Sequence, residues 1–454
     1  MPVLHREIAL PMLRSRFCEV GVEVGHGERR GTLPGVPRPS FLLLAGAALV
    51  ACGSRTGLDD YGGGVPEAGG ALTDAPVGTS GPTCASWTTT NAPVQVSNIA
   101  SIIGVQSAIA TPAGVLVGYA DDQFPPVDTS WHGRLVAFGD GSLGPDQTVL
   151  THDALGLGWT RITFAEGFGH SGAAASDQAD GLLFTTTDAT GATTGSVAHN
   201  AGDSAQDLFA TPSGYTILRS PFDSSGATPG PVSLATLDPS GSVSGSVQLL
   251  DATTPVVSYS RIAFPDGSFA LVWLGNDACP SCLTVHAQHL ASDGEALAPA
   301  VALHAFGPDS PDEYAVSASS KGLLFAWAEG GTTGPVTLSA SPFDADGQPV
   351  GAPSVFAEAP NQSNVALALT AAPGGDVVAS WIAGGDVSGQ LYVEAVAPDG
   401  TAEGPATTLA PVSFSPEADL FVVASPLGAM VLYESDVPNY GIEVYAIPLK
   451  CAAQ

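Results

Sequence analysis

Residues 391–400 read LYVEAVAPDG, and residues 338–347, 53 positions earlier, read LSASPFDADG. Two further steps of 53 reach VHAQHLASDG (285–294) and VSLATLDPSG (232–241). Each string is a short run rich in apolar residues that enters a turn carrying Asp and ending on Gly. Gly191 and Gly141 extend the series at steps of 50. A fixed period of about 50 residues marks a repeat architecture, in which each copy is one supersecondary unit that buries its apolar face only against its neighbours.

A second glycine series lies half a repeat out of phase: Gly114, Gly167, Gly214, Gly267, Gly322, Gly375 and Gly428. Runs suited to strands follow it, among them VLVGY, FALVW, LLFAW, DVVASW and AMVLY, and they end on Tyr119, Trp273, Trp327, Trp381 and Tyr433. Each repeat therefore holds four short strands joined by hairpins, with Gly supplying the positive φ of the tight turns. No 3.6-residue period competes. Four antiparallel strands per 50-residue repeat resemble a β-propeller blade. The expected fold is all-β, a seven-bladed propeller over residues 84–451, with six or eight blades as the alternatives. The repeated aromatics are expected to pack between blades.

If the inner strand of each blade precedes the second-series Gly, the last repeat stops after its third strand, at 443–449. Its missing fourth strand is expected from the start of the domain, near 93–97. Cys84 precedes that start and Cys451 follows that end, so a Cys84–Cys451 disulfide is expected to staple the ring.

The chain has 44 acidic and 13 basic residues, a net charge of −31. That balance excludes a nucleic-acid binder working through phosphate contacts. With only Lys321 and Lys450 present, lysine-dependent chemistry has almost no place to sit. A 44% hydrophobic content supports a sizeable core.

Arg38 followed by PSFLLLAGAALVAC (39–52) has the basic residue, short apolar run and small-residue exit of a secretory signal. The run is too short to span a membrane as a helix. Its end, Leu49-Val50-Ala51-Cys52, resembles the lipobox of bacterial lipoproteins. That resemblance implies cleavage before Cys52, lipidation of Cys52 and anchorage in a membrane of the cell envelope. Gly53, rather than Asp, implies the outer membrane by resemblance to enterobacterial lipoproteins. Residues 1–51 form the signal region, with the true start expected near Val36. Their removal takes away six Arg and four Glu, moving the net charge from −31 to −33. Residues 52–83 read as a lipid-anchored flexible tether, Gly- and Pro-rich without apolar period, spanning roughly 30 Å as a coil.

Cys279-Pro-Ser-Cys282 is followed by His286 and His289, a spacing that resembles a zinc site. The two histidines lie three apart on an expected strand and so point to opposite faces. A local Cys279–Cys282 disulfide is the favoured reading, with redox activity or metal as the alternatives. The Asp-x-Asp-Gly strings read as hairpin turns rather than calcium loops, since Ca²⁺ needs six or more oxygens. Loops expected on the opposite face carry many acids, including Asp207, Asp309, Asp312, Glu313 and Glu434. Asp309, Asp312 and Glu313 are the candidate ligand loop for a Ca²⁺ ion or a basic partner, against a plain solubilising role. Arg161 and Arg261 sit six residues before their turn glycines, a weak resemblance to the arginine cluster of propeller sialidases. The third arginine is missing, so ordinary ion pairs are expected. No catalytic constellation is visible, and no Ser/His/Asp grouping stands out. The expected role is binding or scaffolding for a protein or glycan partner at the envelope. A propeller hydrolase or lyase acting on extracellular polysaccharide, and a structural envelope component, are the alternatives.

Overall fold

The computed structural model describes residues 84–452, apart from residue 85 and segments 98–101, 123–128, 153–161, 178–180, 201–202, 222–230, 280–281, 308–312, 331–334, 360–363, 386–387, 414–418 and 438–440. The signal region, Cys52 and the tether lie outside the described residues.

Six consecutive blades each carry four antiparallel strands: 102–152, 162–200, 203–248, 258–305, 314–359 and 364–412. Blade 7 contributes three strands of its own, Leu420–Ser425, Gly428–Val437 and Gly441–Cys451. Its outer edge is filled by the beginning of the domain. Trp87–Thr89 pairs with 449–451, and Val94–Gln95 pairs with Tyr445 and Ala446. The inner strand of every blade touches that of the next, and blade 7 touches blade 1. The fold is a seven-bladed β-propeller. Among the described residues there is no helix.

The core follows the same count. Seven apolar clusters occupy the seven blade boundaries, one each, from Trp131 and Phe164 between blades 1 and 2 to Val423 and Met430 between blades 7 and 1. Tyr119, Trp273, Trp327, Trp381 and Tyr433 are all buried. Four of these rings stack on a cross-strand partner of the third strand. Tyr119 lies on His132, Trp273 on His286, Trp381 on Tyr392 and Tyr433 on Tyr445, with centroids 5.1–5.4 Å apart. Such pairs contribute stability beyond the apolar area they bury.

The first glycine series owes its period to two demands at one position. Every member has a left-handed φ between 68° and 88°, which costs a residue with a Cβ roughly 1–2 kcal/mol. Every member also presses on the preceding blade: Gly191 on Leu116, Gly241 on Phe184, Gly294 on Leu249, Gly347 on Val301 and Gly400 on Ala340, while Gly141 meets Val94 and Pro448 at the closure. The turn that ends one third strand is therefore also the part that seats its blade on the last.

Candidate functional site

The expected staple is present. Cys84 and Cys451 form a disulfide with Cα atoms 5.4 Å apart, linking residues 367 positions apart in sequence. Around it, Ala452 N–H donates to the Ser86 carbonyl (3.0 Å) and Cys84 N–H to the Asp376 carboxylate (3.3 Å). The closure is thus tied to blade 6 as well as to blade 7.

Two acids expected in solvent-facing loops are instead buried near the axis. Asp207 lies on the inner strand of blade 3 and receives the Arg261 guanidinium of blade 4, Nε to Oδ2, at 2.9 Å. Arg261 also lies 3.7 Å over the Phe209 ring. The arginine singled out by its position is therefore an inter-blade ion pair; Arg161 lies outside the described residues. Glu434 is on the second strand of blade 7, where Oε1 accepts from Val105 N–H of blade 1 (2.6 Å) and Oε2 from Asp419 N–H (3.0 Å). Burial, with Asp419 nearby, pushes its carboxyl well above the usual carboxylate range. The expectation failed here because both carboxylates are held by the next blade, a geometry set by the packing of one blade on another.

Glu313 belongs to the same belt: its Oε1 accepts from Leu367 N–H of blade 6 at 2.9 Å. Gln106 accepts from Ile162 N–H (2.9 Å) and Thr163 from Leu208 N–H (3.3 Å) in the same sense. Asp309 and Asp312 lie outside the described residues. Among the described residues no group of three or more His, Cys, Asp and Glu is placed to hold a metal ion.

The Asp-containing turns use their carboxylates internally. Asp188 and Asp238 each accept from a backbone N–H and a hydroxyl two residues on, at 2.6–2.8 Å, and from a second N–H four residues on, at 3.1 Å. Asp399 holds Thr401 in the same way. These hydrogen bonds to the ionised form lower the Asp188, Asp238 and Asp399 pKa values.

Cys279 and Cys282 face each other at the end of the hairpin between the second and third strands of blade 4; their side chains lie outside the described residues. The two histidines beyond them part company as expected. His286 stacks on Trp273, whereas His289, three residues on, joins a polar chain at the boundary with blade 5.

That chain has no counterpart in the sequence reading. His289 is the penultimate residue of its strand, and its Nε2 lies 2.9 Å from Ser268 Oγ, in the turn between the inner and second strands of the same blade. Its Nδ1 lies 2.8 Å from Asp346 Oδ1, in the third-to-outer-strand turn of blade 5. Asp344 Oδ1 accepts from Gln348 N–H (2.8 Å) and sets this turn, while Gly347 presses it onto Val301 of blade 4. Asp346 is delivered to His289 by the blade-seating contact itself. The Phe264 ring stands perpendicular to the imidazole with centroids 5.3 Å apart. Asp266 Oδ1 closes the far end, accepting from Ser268 N–H (3.0 Å) and from the Ser268 hydroxyl (2.6 Å). Ser268 is 8% exposed, and the Asp346 side chain is 56% exposed.

No protein-family model matches the sequence, and no curated protein does. Solved structures match in fold. The Dos1 propeller is 10% identical with a TM-score of 0.41, covering 75% of this chain and 78% of its own. Puromycin hydrolase is 16% identical with a TM-score of 0.43, covering 81% of this chain and 55% of its own. The SapL1 lectin, solved with α-methyl fucoside, is 13% identical with a TM-score of 0.37, covering 78% and 94%. At these identities the likeness concerns the fold alone.

Proposed function

We propose that this chain is an exported lipoprotein of the bacterial envelope, anchored by lipid at Cys52 in the outer membrane. Its propeller is a rigid platform for a protein or glycan partner. The observation that supports export is the Cys84–Cys451 disulfide at the ring closure, since such bonds form and persist in oxidising compartments. The lipobox at 49–52 and the Gly- and Pro-rich stretch after it supply the anchor and the reach. A single lipid chain binds membranes only marginally, so stable anchorage calls for more than one acyl chain at Cys52.

The test is metabolic labelling of the full chain with a fatty-acid analogue in a bacterial host, followed by membrane fractionation. The native chain is expected to carry label and to sediment with outer membranes. Cys52→Ala is expected to lose the label. Label retained in Cys52→Ala, or a native chain that is unlabelled and cytosolic, overturns the reading. Binding is then tested by capture from envelope extracts on the full chain, where failure to enrich any protein or glycan counts against the platform role.

A further inference from the structure

The Ser268–His289–Asp346 chain goes beyond a platform role. We propose that Ser268 is an activated nucleophile, with His289 as its general base and Asp346 as the residue that positions the imidazole. Its substrates are small neutral or cationic esters.

Three features carry the assignment. The first is geometry. A nucleophile and base within hydrogen-bond reach, with the base oriented by a third group, is the recognisable signature of nucleophilic catalysis on any fold. Distances of 2.9 and 2.8 Å meet it. The second is the tautomer. A carboxylate accepts only, so Asp346 holds a proton on Nδ1 and, in the neutral ring, leaves Nε2 as the atom that takes the Ser268 proton once the hydroxyl turns from Asp266. Phe264 packs perpendicular to that ring and restrains it. The third is delivery. Asp346 comes from the next blade on a turn fixed by Asp344 and Gly347, so the triad is complete only when blade 5 is seated on blade 4.

Asp266 regulates the pair. The one hydroxyl proton of Ser268 has two acceptors, Asp266 Oδ1 and His289 Nε2. When the imidazole is protonated, Nε2 donates to Ser268 and the hydroxyl proton goes to Asp266. When the ring is neutral, the hydroxyl can turn to Nε2.

The steps balance without a cofactor. Ser268 Oγ attacks the ester carbonyl carbon and its proton passes to Nε2. The bond to the alcohol oxygen breaks and that oxygen takes the proton from Nε2, leaving an acyl-serine. Water then gives a proton to Nε2 and attacks the acyl carbon. Ser268 leaves with that proton, and a carboxylic acid is released. Low exposure of Ser268 restricts access to slender acyl groups. Asp266 and Asp346 on either side repel anionic ones.

The test uses the full chain, a small alkyl fluorophosphonate and peptide mapping by mass spectrometry. Label is expected on Ser268 ahead of every other serine. His289→Ala is expected to lower the rate by at least about 100-fold, the smaller end of general-base contributions. Asp346→Asn is expected to lower it and to disturb the pH profile, because it no longer fixes the tautomer. Asp266→Asn is expected to raise it by weakening the competing acceptor. Absence of label on Ser268 in the native protein overturns the proposal without recourse to any variant. So does a His289→Ala protein of native circular dichroism that labels at the native rate.

Discussion

Replacing Gly241 by Ala tests the account of the repeat directly. The residue has φ +84°, and an added Cβ would fall 2.9 Å from Phe184 Cγ and closer still to Cδ1. Two costs combine. Left-handed backbone costs an alanine roughly 1–2 kcal/mol, and overpacking against a buried ring adds about 1–3 kcal/mol. The expected loss is about 2–5 kcal/mol. Two other glycines separate the contributions. Gly169 has φ +79° with nothing within 4 Å of an added Cβ, so Gly169→Ala carries the backbone cost alone. Gly245 lies in the exposed outer strand of blade 3, again with open space and without a left-handed φ. Gly245→Ala is expected to stay within about 0.5 kcal/mol of the native protein. Urea unfolding followed by tryptophan fluorescence gives all three, provided the slopes agree. Combining Gly241→Ala with Phe184→Leu should recover part of the loss, with a coupling energy of about 0.5–3 kcal/mol. If Gly241→Ala costs no more than Gly169→Ala, the turn does not seat blade 3 on blade 2, and the explanation of the 50-residue period fails.

Removing the staple in a Cys84→Ser, Cys451→Ser protein should lower stability by about 2–5 kcal/mol in the same assay, and a protein indifferent to the change would show that the strand pairing alone holds the ring. Arg261→Met should cost about 3–5 kcal/mol by leaving Asp207 buried without its cation, and adding Asp207→Leu should restore much of it; equal unfolding midpoints for native and single variant would refute the pair. Glu394 lies buried on the third strand of blade 6 with its Oε2 unpartnered, and burial pushes its pKa to about 7. The folded state then binds the proton more tightly than the unfolded state, whose pKa is near 4.5. Native stability should fall as pH rises from about 4.5 to 7, by as much as about 3 kcal/mol. Stability measured across that range should lose this component in Glu394→Gln, and parallel profiles for the two proteins would be inconsistent with a buried, protonated carboxyl.

Much of the fold was readable because one residue type answers two constraints at once. Gly347 and Gly400 are needed both for their left-handed φ and for the close approach of the neighbouring blade, so their period reports the blade period. The closing strand was readable because a third strand with no successor requires a partner from elsewhere, and Val94–Gln95 lies within the stretch expected to supply it. The polar features were not readable. Asp207, Glu313 and Glu434 have the composition of solvent-facing acids, and only ring geometry turns them toward Arg261, Leu367 N–H and Val105 N–H. Ser268, His289 and Asp346 fall in two blades with no local motif to join them. The failed zinc spacing gives no reason to single out His289, although the opposite orientation that excludes the metal is also what sends its ring toward blade 5.

The disulfide also decides how the domain carries load. A pull on the chain ahead of Cys84 would, without it, peel Trp87–Thr89 away from 449–451 one pair at a time, beginning at Cys451. Peeling breaks pairs in succession and resists little. With Cys84 bonded to Cys451, the end where the tear would begin is covalently closed, and tension passes into the last strand of blade 7. That strand is paired with the blade's second strand at nine positions, where Trp87–Thr89 is paired with it at three. The load is therefore met by three times as many paired residues as the first strand alone would offer.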